Sequence, residues 1–133
     1  RSTLFPYTTL FRSGSAGGGR EIGPILDPLV LDRAVDRYRR GKRRLGDLCA
    51  VYGVRVDESL HTAEVDVAAA LDVLEAMVRA HPRLGSMSLE ELQGFQVRAH
   101  REWAESFNAW LAKRNPDRAG ADPSWPLAKE LRA

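Results

Sequence analysis

The sequence predicts an α/β chain, mostly helical, with one or two short strands. Three observations carry this. Two long stretches, Thr62 to Ala80 and Ser88 to Arg114, repeat apolar residues at helical spacing. A short apolar run, Ile22 to Leu31, is broken by Pro24 and Pro28, which suits a strand over Pro24 to Asp27 running into a proline-started helix. Val54 to Asp57 supplies a second short extended candidate. At 133 residues the chain is long enough for one modest domain with a core of its own.

Composition narrows the class. Hydrophobic residues make up 44% and charged residues 29%, a globular balance rather than a disordered one. No apolar run approaches the roughly 18 residues of a membrane span, so no membrane partner is expected. Cys49 is alone, which excludes a disulfide framework and a thiolate zinc cluster and suits a small buried hydrophobe in a reducing compartment. Seventeen of the 20 basic residues are arginine and alanine is abundant, the imprint of GC-rich coding; a bacterial, cytoplasmic protein is expected. The net charge of +2 is local: without its first thirteen residues the chain carries 18 basic and 18 acidic side chains. Overall charge is therefore no nucleic-acid signature.

The helices follow in order. Leu29 to Tyr38 puts Leu31, Ala34, Val35 and Tyr38 on one face. Arg44 to Tyr52 repeats this with Leu45, Leu48, Cys49 and Tyr52, and Gly53 suits its C-terminal cap. Thr62 to Ala80 carries Val67, Ala70, Leu71, Leu74, Met77 and Val78 inward and Asp72, Glu75 and Arg79 outward, ending at His81-Pro82. Ser88 to Arg114 opens with a capping box, Ser88 to Glu91, and is striped by Leu92, Phe95, Ala99, Trp103, Phe107 and Trp110. Asn115-Pro116 stops it. The polar tail holds a last turn around Leu127 to Leu131.

Arg1 to Ser13 has neither the apolar core nor the cleavage pattern of a signal peptide. From Thr3 to Ser13 it equals, at every position, the translation of a common short-read sequencing adapter. Residues 1–13 are therefore expected to be an assembly artefact, 14–23 a glycine-rich flexible segment, 24–82 the functional body and 83–133 a helical extension.

His61 and Asp66 are the leading functional candidates. A histidine can take a proton from water near neutral pH and an aspartate can hold a divalent cation. Within one helix five residues turn by about 500° and would separate them. With His61 still in the loop and Asp66 in the second turn, they can converge. The plain alternative is a capping-region histidine beside a surface aspartate. A second feature is the basic run Arg37, Arg39, Arg40, Lys42, Arg43 and Arg44 around Gly41, read either as a phosphate-contacting patch or as a solvated turn. Asp27 could be catalytic at a strand end or could simply form a turn. Glu64 suits the positive end of the helix dipole. His81 and His100 read as structural or surface residues. Trp103 and Trp110 read as core or a partner-helix surface rather than as base-stacking groups.

The order of Asp27-Pro28-Leu29, Leu45-Gly46-Asp47-Leu48-Cys49, Tyr52-Gly53-Val54 and His61-x-Ala63-x-x-Asp66 resembles the C-terminal half of the DnaQ-like (DEDDh-type) 3′–5′ exonucleases. That class includes the proofreading epsilon subunit of bacterial DNA polymerase III. The resemblance covers about Pro24 to His81. It implies a truncated ribonuclease-H-like fold, His61 as general base and Asp66 as a metal-binding carboxylate. It also implies a pair of Mg²⁺ or Mn²⁺ ions, a nucleic-acid 3′ end as substrate (DNA ahead of RNA), and polymerase subunits as protein partners. Arg39, Arg40, Lys42, Arg43 and Arg44 would contact phosphates. The family further needs an Asp-x-Glu and a second-motif aspartate, and neither is in this sequence. An inactive fragment of such a nuclease is therefore expected. The alternative is a helical protein-interaction module built on the Trp103/Trp110 helix.

Overall fold

The computed structural model describes residues 24–57 and 62–127. Five helices follow one another: α1 Pro28–Val35, α2 Leu45–Tyr52, α3 Ala63–Ala80, α4 Pro82–Gly85 and α5 Leu89–Arg114. The expected α/β class is wrong for this chain. The described residues are 64% helical and contain no strand.

The extended run before α1 shows why. Pro24 to Asp27 has no neighbouring strand to pair with, and the side-chain amides of α5 satisfy its backbone instead. Gln93 Oε1 accepts from Ile25 N–H at 3.0 Å and Gln96 Oε1 from Asp27 N–H at 2.7 Å, while both Nε2 groups donate to the Ile25 carbonyl. Buried backbone groups need partners of some kind, and a helix bearing amides at i and i+3 supplies them as a strand would. Val54 to Asp57 joins no ladder either; Val54 and Val56 pack directly on the core.

Helix boundaries follow local chemistry. Asp27 caps α1 by accepting from Leu29 N–H at 3.0 Å, with Pro28 in the first turn. The helix ends at Val35, three residues before the expected Tyr38, and Tyr38 stands 85% exposed instead of on the inner face. Thr62 caps α3 through Val65 N–H. Ser88 and Glu91 form the predicted capping box of α5. Gly53 closes α2 at φ 69°, where a side chain would add strain.

α3 packs against α1, α2 and α4, and α1 also packs on α5. The main core joins Leu31, Leu48, Cys49, Ala69, Val73, Leu74, Met77, Leu84 and Leu92. The buried stripe of α3 runs through Ala69, Ala70, Val73, Leu74 and Met77, turned from the expected one, and Leu71 and Val78 face outward. A smaller cluster sets Ile25, Val30 and Trp125 against Val97 and Ala99. Trp125 belongs to a C-terminal strap, residues 119–125, laid along α5. Asn108 clamps Ala121 through both its amide groups, and His100 Nε2–H donates to the Asp122 carbonyl at 2.9 Å. Among the described residues no helix is long and apolar enough to cross a membrane.

Candidate functional site

His61 lies outside the described residues, as do the artefact-like segment, the glycine-rich segment and the tail beyond Leu127. Asp66 sits in the first turn of α3, half-buried, with Glu64 exposed beside it. This is the end of a helix at which carboxylates are favoured. Asp66 and Asp72 lie on α3, which packs against the α2 helix that carries Cys49. Burial first, then these two carboxylates, push its thiol above the ordinary value. A thiol so placed is a core group, not a nucleophile.

The divalent ions implied by the resemblance require several converging oxygen ligands. Among the described residues no group of three His, Cys, Asp or Glu side chains could hold a metal ion. Asp66 therefore does not by itself fit such a centre.

The basic run resolves into two sets. Asp32, fully buried on α1, is the hub of the first. Arg39 grips it with two nitrogens, Nη1 to Oδ1 at 3.0 Å and Nη2 to Oδ2 at 2.5 Å, and reaches Asp36 at 2.7 Å. Arg43 Nη1 donates to Asp32 Oδ2, and its Nη2 donates to the carbonyls of Asp36, Arg37 and Arg39. One guanidinium thus satisfies the carbonyls left open where α1 ends. Tyr52 gives its hydroxyl proton to Asp32 Oδ1 at 2.8 Å, so its oxygen can only accept from His81 Nε2, 3.4 Å away. Burial pushes Asp32 up, but hydrogen bonds from Arg39, Tyr52 and Arg43 outweigh it and hold the carboxyl below its usual range. Burial and the bond to Asp32 raise the Tyr52 phenol.

The second set faces water. Arg37, Arg40 and Lys42 are exposed, and among the described residues no carboxylate pairs with them. Arg44 is exposed too, and is bound to Asp47 at 3.1 Å. Gly41 takes φ 107° between Arg40 and Lys42, which lets the turn reverse. Tyr38 projects from this turn with the Arg37 guanidinium 5.5 Å from its ring.

Asp27 is structural here. It caps α1, and Trp125 Nε1–H donates to its Oδ2 at 3.3 Å. Burial lifts its carboxyl to about 6, against the opposing pull of Trp125, the Leu29 and Val30 backbone and Arg33. Arg33 stacks 3.6 Å over Trp103, and burial lowers it to about 10. Along α5 the rings of Trp103, Phe107 and Trp110 stack at 5.4 and 5.9 Å. Trp110 is 50% exposed, with Arg114 at 4.9 Å. An open groove of about 440 Å³ between the end of α5 and the strap includes neither Asp66 nor the basic turn.

The Asp32 hub went unread in the sequence. Its signal was an aspartate inside an apolar helical segment, followed by arginines seven and eleven residues on. Gln93, Gln96 and Asn108 left no such signal.

No protein-family model matches this chain, and no curated protein or solved structure is significantly similar to it.

Proposed function

We propose that this chain carries the His61/Asp66 portion of a metal-dependent 3′–5′ exonuclease and is inactive in hydrolysis as it stands. The observation behind this reading is the ordered motif set from Asp27-Pro28-Leu29 to His61-x-Ala63-x-x-Asp66. Two features are in keeping with it. Asp66 is a half-buried carboxylate at a helix start, immediately after the segment that bears His61. An exposed basic turn offers contacts to phosphate. The complete protein would remove nucleotides from a nucleic-acid 3′ end, with His61 activating water and Asp66 among the ligands of Mg²⁺ or Mn²⁺.

The test is to read the gene upstream of the Gly14 codon and express the longer product. The reading expects an Asp-x-Glu motif there and Mg²⁺-dependent shortening of 3′ ends, abolished by His61→Ala and by Asp66→Ala. A longer product without such a motif, or one indifferent to both substitutions, overturns it.

A second reading draws on Trp110, half exposed at the end of a stacked aromatic row. Here α5 would dock a protein partner such as a polymerase subunit. Binding lost in Trp110→Ala and kept in His61→Ala would favour it.

A further inference from the structure

We propose that the turn Arg37–Lys42 is a contact surface for single-stranded nucleic acid, with Tyr38 stacking on a base and Arg37, Arg40 and Lys42 holding phosphates. The nucleic-acid partner is taken from the reading above; the stacking residue and the division of roles among the basic residues are new.

Tyr38 carries the inference. Among the described residues it is the most exposed of the large apolar side chains, at 85%, and no other ring there stacks on it. An aromatic ring left bare costs solvation free energy unless something else uses its face. The Arg37 guanidinium stands 5.5 Å from the ring centre. Arg37, Arg40 and Lys42 stand exposed on the same turn, and among the described residues none of them forms an ion pair with a carboxylate. An aromatic face among unpaired cations matches alternating bases and phosphates, and stacking needs bases that are not already paired.

The turn is also built in advance. Asp32 binds Arg39 and Arg43, and Arg43 in turn ties the carbonyls of Asp36, Arg37 and Arg39. Arg39 and Arg43 are thus positioning residues. They fix the arc from which Arg37, Tyr38, Arg40 and Lys42 project, so little ordering remains for a ligand to impose.

The test uses the full chain, a fluorescein-labelled oligothymidylate, and anisotropy titrations in EDTA, where hydrolysis plays no part. The single strand should bind more tightly than a duplex of equal length. Tyr38→Ala should weaken it about fivefold or more, and Tyr38→Phe should restore it. Arg40→Ala and Lys42→Ala should each lower the slope of log affinity against log salt by about 0.7. Circular dichroism checks that each variant keeps its helices. Equal binding by parent and Tyr38→Ala, or duplex bound as tightly as single strand, overturns the proposal. Heparin matching the oligonucleotide with no effect of Tyr38 also overturns it, leaving a general polyanion patch. Binding through Tyr38 in a protein whose longer form lacks nuclease activity would sink the exonuclease reading alone. Activity in the longer form with Tyr38 inert would sink only this one.

Discussion

At Asp32 a single buried carboxylate organises three neighbours, Arg39, Arg43 and Tyr52, and its removal should be felt by all of them. Asp32→Ala leaves two arginines and a phenol facing an uncompensated site, so a loss of about 3–5 kcal/mol is expected in urea unfolding. Its contribution is present at neutral pH and is lost only as pH falls below the usual aspartate range, because its folded-state carboxyl is held low. Asp27 behaves with the opposite sign. Its carboxyl is raised from 3.8 to about 6, so the folded state binds a proton that the unfolded chain has already released. Stability from this group is full below about pH 4 and declines as pH rises through 6. The stability of Asp27→Asn relative to the parent should therefore rise between pH 4 and 7, and melts across that range check it. A parent and variant that move in parallel would contradict the raised carboxyl.

The elements themselves were legible where sequence and local chemistry agree. The starts of α3 and α5 were readable from Thr62 and from the Ser88–Glu91 box, and the end of α2 from Gly53, because caps are written in a few adjacent residues. Ser88→Ala should cost about 1 kcal/mol in thermal melts. The end of α1 was not readable, since Asp32, Arg39 and Arg43 decide it by a tertiary contact that periodicity does not encode. The strand expected at Pro24 to Asp27 failed for a related reason. An extended apolar run tells of a need for hydrogen bonds but not of who supplies them, and Gln93 and Gln96 on a distant helix do. The strap shows the same economy. A Cβ at Gly120 would collide with Asn108 Oδ1, so Gly120→Ala should break the Asn108–Ala121 clamp. Faster amide exchange at Ala121 reports it, and unchanged protection would refute it.

For the molecule as a whole, α1 packs on both α3 and α5, so helices alone cover its apolar face. Of the His61-x-Ala63-x-x-Asp66 motif, Asp66 stands in the first turn of α3, where a helix start favours a carboxylate, and His61 lies outside the described residues. The basic run was readable as charge but not as two sets, because only packing separates Arg39 and Arg43 from Arg40 and Lys42. The proposed function assigns His61 and Asp66 to a 3′–5′ exonuclease. Its most direct measurement is the shortening of a 5′-labelled single strand by whatever longer product the gene encodes upstream of Gly14, with Mg²⁺ and with EDTA. Stepwise loss of 3′ nucleotides with Mg²⁺, absent in EDTA and in Asp66→Ala, is the predicted result. A strand left intact by the longer product, or degraded equally by Asp66→Ala, would contradict it.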